Sequence, residues 1–454
     1  MDLSVEVIET SALGDRSYVA HDGEVAVVVD PQRDIDRVES VLADLGVRCE
    51  MVVETHIHND YVTGGLALAQ QTGARYLVAA DDHVEFDRDA VADGDERTAG
   101  SMRVRVVSTP GHTDHHLSYV ISVGAGPSAV FTGGSMLFGS VGRTDLVDPA
   151  RTEELTHAQY RSVRRLADEL GDDVAVYPTH GFGSFCSSGA ATGGESSTIG
   201  QERERNDALV EDDEDAFVSM LVKGLTAYPA YYAHMGARNL EGPGAPDLSA
   251  PELVDADELR TRIEAGEWVV DLRDRKVYAA QHIGGTIGIE LGDQFSTYLG
   301  WLIPWGTPLT LIGESAEDVS KAQRQLVRIG IDHLAGSALG SPTDLAKPEQ
   351  LRTYPITTFA KLREAQDDGK SPIVMDVRRD DEVVTGRIPG STHIPLHSLL
   401  QRLDEVPDGE LWIHCAAGFR ASIAASLLDR AGHDVILINE DFSVAMDSGL
   451  AKKE

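Results

Sequence analysis

Cys415 stands in Ile413-His414-Cys415-Ala416-Ala417-Gly418-Phe419-Arg420-Ala421-Ser422, between an apolar stretch and an Ala-rich one. Residues 411–413 read as the end of a buried strand and residues 421–428 as a helix. The loop between them must turn its backbone N–H groups inward at the helix N-terminus, where they stabilise a thiolate and bind anions. This reading makes Cys415 a nucleophile and Arg420 the cation that holds an anionic donor, with Ala416, Ala417, Gly418 and Phe419 lining the loop. A cysteine kept for packing needs neither Gly418 nor Arg420 beside it.

Histidines form a second group. Val52-Val53-Glu54-Thr55-His56-Ile57-His58-Asn59-Asp60 reads as a strand ending in two histidines and an aspartate at alternate positions, so His56 and His58 can turn toward one metal. Ser108-Thr109-Pro110-Gly111-His112 and Val176-Tyr177-Pro178-Thr179-His180 each follow another apolar strand. Histidines at three strand ends predict convergence on one edge of a sheet sandwich. Cys186 lies six residues past His180 in a loop of small residues, near the same edge. Cys49 precedes an apolar strand and reads as buried and inert.

The chain positions these groups in three blocks. Residues 242–246 (GPGAP) and 249–251 (SAP) are the clearest linker. Beyond it the sequence repeats: Val269-Val270-Asp271-Leu272-Arg273 matches Val374-Met375-Asp376-Val377-Arg378, and His282-Ile283-Gly284-Gly285-Thr286 matches Arg387-Ile388-Pro389-Gly390-Ser391. In the first copy, counting back from the later helix puts Gly313 at the place of Cys415 and Asp318 at that of Arg420. That copy lacks both the nucleophile and its cationic partner, and its expected role is structural. The expected domains are 1–240, 252–345 and 353–454.

The short Cys415-to-Arg420 loop, with Met375-Asp376-Val377-Arg378 and Gly386-Arg387-Ile388-Pro389-Gly390-Ser391, closely resembles a rhodanese domain. The resemblance implies an α/β fold with a central parallel sheet and a cysteine that takes up sulfane sulfur as a persulfide. The N-terminal histidine motifs, with Phe131-Thr132-Gly133 and Gly142-Arg143-Thr144-Asp145-Leu146, resemble the metallo-β-lactamase fold in its glyoxalase II and persulfide dioxygenase branch. This implies an αββα sandwich with metal at its loop edge. Together the parts resemble fused persulfide dioxygenase and sulfurtransferase proteins.

Two departures from that branch matter. Tyr61 ends the His-x-His-x-Asp-His motif, which removes a ligand of the second metal position, and Gly134 stands where the branch places a metal-binding aspartate. The resemblance then implies one metal ion per chain, iron or zinc, held by His56, His58 and His112 with Asp60 or His180 in reach. An aspartate restored at 134 is expected to tighten it. The leading function is sulfane-sulfur metabolism, a sulfurtransferase coupled to a persulfide dioxygenase-like domain. Substrates would be low-molecular-weight thiols and persulfides with thiosulfate or sulfite, and Cys186 a substrate-contacting thiol. The alternatives are a zinc-dependent thioester hydrolase of the glyoxalase II type and a non-catalytic sulfur-carrier scaffold.

Composition narrows the partners. The 454 residues carry a formal net charge of -36, with acidic residues spread throughout and arginine well ahead of lysine. Nucleic acid and anionic membranes are excluded as partners, and the surface suits a high-salt cytoplasm, where a Debye length of about 3 Å at 1 M salt screens self-repulsion. Three scattered cysteines build no disulfide framework, and a reducing interior fits. No stretch approaches a membrane span and the N-terminus lacks a basic-then-apolar leader, so a cytoplasmic protein is expected, with self-association left open.

Overall fold

The computed structural model describes residues 2–124, 129–188 and 194–453. Its chain divides into two compact units, one of residues 1–246 with Leu326–Gly330, the other of residues 247–325 and 331–454.

The first unit stacks two six-stranded sheets. One holds β1 (Ser4–Thr10), β2 (Asp15–His21), β3 (Val25–Val29), β4 (Arg48–Val53), β5 (Arg75–Ala79) and β6 (Asp89–Val91) in sequence order. The other holds β7 (Glu96–Ala99), β8 (Met102–Ser108), β9 (Leu117–Val123), β10 (Ala129–Gly133), β11 (Ala175–Pro178) and β12 (Ser197–Thr198). β3 reads VAVVV and is buried at every residue, as β-branched residues in a strand covered on both faces should be. Its Val27 and Val29 meet Val104, Val106, Tyr119 and Phe131 of the second sheet in the central core. Alternate residues turn outward: Val28 and Val52 pack under Val38, Leu42 and Leu68 of the helices Asp36–Leu45 and Gly65–Thr72. On the far face, Val107, Val130 and Val176 pack under Val163 and Leu166 of helix Thr152–Glu169 and Phe217 of helix Glu214–Gly224. The layers are α, β, β, α, and the loops after β4, β8, β10 and β11 carry the expected chemistry.

In the second unit the strands are β13 (Trp268–Asp271), β14 (His282–Ile283), β15 (Ile287–Gly288), β16 (Leu309–Gly313), β17 (Gly336–Leu339), β18 (Leu351–Arg352), β19 (Ile356–Thr357), β20 (Ile373–Asp376), β21 (Thr392–His393), β22 (Leu411–His414) and β23 (Val435–Ile438). They form sheets of order β15-β13-β16-β17 and β19-β23-β22-β20-β21, plus the pair β14-β18. All pairings within the two larger sheets are parallel. Register relates the copies: Asp271 lies opposite Ile312 and Asp376 opposite His414, so Gly313 takes the position of Cys415. Both copies close the same clasp, in which Arg273 or Arg378 grips the buried aspartate two residues before it. Among the described residues no helix is long and apolar enough to cross a membrane.

Candidate functional site

Cys415 follows β22 directly, and helix Phe419–Arg430 starts four residues later. Gly418 adopts φ 94°, and a Cβ there would lie 2.1 Å from Asn439 Oδ1, so this turn requires glycine. The turn aims the Gly418 amide at the sulfur, donating to Cys415 Sγ at 3.1 Å. Ala416 accepts from Phe442 N through its carbonyl, while Ala417 is exposed at the mouth. Arg420, in the first helical turn, donates to both carboxylate oxygens of Glu382, at 2.7 Å to Oε1. Burial alone would raise the Glu382 carboxyl, yet the Arg420 hydrogen bond holds it below the usual range. The cation is thus fixed beside the thiol by a residue with no motif of its own. The first copy adds Tyr298 from helix Phe295–Leu302, set edge-on to Phe419 with ring centroids 5.6 Å apart.

The corresponding loop of the first copy is built differently. Helix Ala316–Arg328 begins three residues after Gly313, one fewer than in the second copy. Asp318 bonds back to Ser315 N at 3.0 Å and Ser315 Oγ at 2.7 Å, as a helix cap. A Cβ at Gly313 would meet Val319 Cγ2 at 3.0 Å and Ser315 O at 3.1 Å. A side chain there would need both neighbours to give way, and Asp318 stands where the second copy has Arg420.

In the first unit the loops after β4, β8 and β11 bring His56, His58, His112 and His180 together, all buried. Each has an outer nitrogen engaged. His56 Nδ1 lies 2.9 Å from Thr55 Oγ1, His112 Nδ1 donates to the Arg143 carbonyl at 2.7 Å, and His180 Nδ1 lies 2.9 Å from Asp15 Oδ1. His58 Nε2 lies 3.0 Å from Tyr61 Oη, 3.4 Å from Asp30 and 3.3 Å from Glu54. His112 Nε2 and His58 Nδ1 are buried with no hydrogen-bond partner among the described residues. His56 Nε2 and His180 Nε2 face each other at 3.3 Å. Two nitrogens each about 2.0–2.1 Å from a tetrahedral metal would be separated by about 3.3 Å. Outer nitrogens anchored, with the inner ones unpartnered in His58 and His112 and turned to each other in His56 and His180, is an orientation that metal-ligating imidazoles adopt, so the donor set fits a metal ion.

Electrostatics follow the carboxylates beneath. Burial alone would lower His58, but Asp30 and Glu54 raise it to about 9. Burial and the neighbouring imidazole of His180 push His112 down to about 3. Burial and Asp60 raise Asp15 to about 7. Asp30 has φ 49°, the left-handed region that non-glycine residues rarely enter, and receives Thr55 N and Thr55 Oγ1, each at 2.7 Å. Motif reading missed Asp15, Asp30, Glu54, Glu382 and Tyr298. Asp30 alone gave a signal, an aspartate ending a run of valines.

Groups of three with one donor atom each within 4.8 Å are His56/His58/His180, His112/His180/Cys186, Asp15/Asp60/His180 and Asp30/Glu54/His58. His56, His58 and His112 do not form such a group by themselves among the described residues; His180 joins the two sides. Cys186 is buried, and burial followed by the Asp60 carboxylate pushes its thiol well up. Cys49 is also buried, with its thiol pushed up to about 11 by burial. At Gly134 a Cβ would lie 2.1 Å from His112 Cδ2, so the ring fills the space a side chain would take. The expectation that an aspartate at 134 simply adds a ligand fails on this geometry, because His112 would have to move.

Residues 358–445 match the family described as Rhodanese-like domain. Over 250 residues, 53% of its length, the chain is 28% identical to the mitochondrial persulfide dioxygenase ETHE1 of Homo sapiens, covering 81% of that protein. It is 35% identical to a hydroxyacylglutathione hydrolase of Cereibacter sphaeroides over 31% of this chain and 56% of that one, little more than half the relative's length. A crystal structure of a metallo-β-lactamase from Staphylococcus aureus superposes with TM-score 0.67 at 26% identity, covering 75% of this chain and 100% of that one. The chain therefore carries a rhodanese-like domain at its C-terminus and an N-terminal metallo-β-lactamase-fold region similar to persulfide dioxygenase and hydroxyacylglutathione hydrolase.

Proposed function

We propose that the chain is a sulfurtransferase of sulfane-sulfur metabolism, its Cys415 domain coupled to a metal-dependent domain that consumes a low-molecular-weight persulfide. The observation that carries this is the Gly418 amide 3.1 Å from Cys415 Sγ, with Arg420 held beside it by Glu382. The Cys415 thiolate attacks the outer sulfur of thiosulfate, the sulfur–sulfur bond breaks, and sulfite leaves with its electron pair. Cys415 then carries a persulfide. An acceptor thiolate attacks its terminal sulfur, forming a new persulfide and restoring the Cys415 thiolate. Loop amides and Arg420 stabilise the anions on both sides of the step.

The cluster of His56, His58, His112 and His180 would hold one metal ion, iron or zinc, supplying a Lewis-acid centre. The protein's own contribution is to anchor each imidazole through its outer nitrogen and to keep the pocket buried.

The test is sulfite release from thiosulfate with a thiol acceptor, alongside metal content and oxygen uptake on a persulfide. Sulfite release that depends on Cys415, with one metal per chain and oxygen uptake, supports the reading. Zinc with thioester cleavage and no uptake would favour the hydrolase activity named for the Cereibacter relative. Two tightly bound metals would do the same.

A further inference from the structure

A divalent cation in a buried pocket is held best when a ligand brings negative charge, and imidazoles bring none. Position 134 offers no side chain, and the His112 ring occupies the space beside it, walled on its other side by Gly142, whose added Cβ would lie 2.6 Å from His112 Nδ1. The thiol in reach is Cys186, which shares a group with His112 and His180 whose donor atoms lie within 4.8 Å of one another. His112 belongs to that group, and its Nε2 is buried without a hydrogen-bond partner among the described residues.

One residue fixes both flanks. Arg143 accepts from His112 Nδ1 through its carbonyl at 2.7 Å and donates its own N–H to the Cys186 carbonyl at 2.8 Å. Its guanidinium is gripped by Asp145 at 2.7 Å and donates to the Phe185 carbonyl at 3.1 Å. The His112 and Cys186 loops are therefore held to the backbone of the same residue, which sets the two donors before any ligand arrives.

The geometry points to a thiolate-containing metal centre: one divalent transition-metal ion held by Cys186 Sγ and the imidazoles of His112 and His180. Thiolate with imidazole suits zinc, iron and cobalt alike. Binding releases the Cys186 thiol proton to solvent, and the sulfur keeps the electron pair it donates. This assignment rests on the reading that the histidine cluster holds a single metal, and of the three histidines expected from the sequence it keeps His112, joined by His180 and Cys186. His58 stays with Asp30 and Glu54 as a support.

Cobalt(II) is the probe, loaded into the full chain carrying Cys415→Ser so that the transferase thiol is silent. The expected result is one cobalt per chain with a near-ultraviolet thiolate-to-metal charge-transfer band. Adding Cys186→Ser should abolish the band and weaken cobalt binding at least about 100-fold, since loss of mere outer partners already costs about 10–100-fold. One cobalt bound without the band overturns the thiolate ligand and leaves an all-nitrogen site, with the proposed function intact. Absence of cobalt binding overturns both this centre and the metal half of that function. Should Cys186→Ser fail to fold, X-ray absorption on the unaltered loaded chain decides: a sulfur neighbour at about 2.3 Å supports the centre, and nitrogen and oxygen neighbours alone overturn it.

Discussion

In one repeat of the second unit Arg273 grips Asp271 and the neighbouring strand ends at Gly313; in the other Arg378 grips Asp376 and the strand runs into Cys415. The clasps are nearly superimposable in chemistry, with Nη2 to Oδ2 at 2.6 Å in both. The loops that follow are not. One spends its acidic residue on a helix cap, whereas the other aims an amide at a thiol and holds an arginine beside it. The lesson is that the fold needs the clasp and the chemistry needs the loop, so a repeat can keep the first and lose the second. The cysteine-less repeat still touches the chemistry, through Tyr298 against Phe419.

The largest effect should come from the loop. Cys415→Ser is expected to lower sulfite release from thiosulfate by at least about 10³-fold with the unfolding midpoint unchanged, because the nucleophile is gone and the packing is not. Transfer that survives would move the chemistry to another thiol.

The clasps come next. Asp271→Ala and Asp376→Ala should each destabilise by about 3–5 kcal/mol in urea unfolding, since each leaves a buried guanidinium unpaired. A silent Asp271→Ala would show that only one clasp supports the fold and would break the comparison.

Arg420→Ala should cut kcat/KM for thiosulfate by about 10–100-fold, a loss of a charge-assisted contact. Glu382→Gln should cost less, because the arginine remains. The Glu382 carboxyl lies below its usual range, so its stabilisation is fully present above that range and is lost as pH falls through the folded value. The native chain should therefore lose transfer activity on the acid side, and the Gln variant should not share that limb. Identical acid limbs in the two would leave Glu382 without a positioning role.

Smaller still is the effect of salt. With a net charge of -36 dispersed over the chain, the thermal midpoint should rise from dilute buffer to molar KCl as self-repulsion is screened. A flat response would contradict the high-salt reading. The smallest expected effect is none at all: Gly313→Cys added to Cys415→Ser should restore no transfer, given the 3.0 and 3.1 Å contacts awaiting a Cβ there.

Much of the fold was legible in the sequence because its signals are local. Apolar strands ending in histidine or cysteine announced the sheets and the edge that carries the chemistry, and the repeated Asp-x-Arg announced the second copy. What stayed hidden depends on distant partners. Asp15 reaches His180 across 165 positions and Glu382 reaches Arg420 across 38. Neither spacing is periodic, and an acidic residue in so acidic a chain carries little signal alone. The space beside Gly134, filled by the His112 ring, is likewise a matter of packing that no motif encodes.

The central claim, that the second repeat carries sulfur on its cysteine, is tested most directly by mass spectrometry of the intact chain and its Cys415 peptide after brief exposure to thiosulfate. The account predicts a gain of one sulfur atom on the Cys415 peptide, removed on adding an acceptor thiol. An unmodified Cys415 peptide, or a sulfur atom found on Cys186 instead, would contradict it.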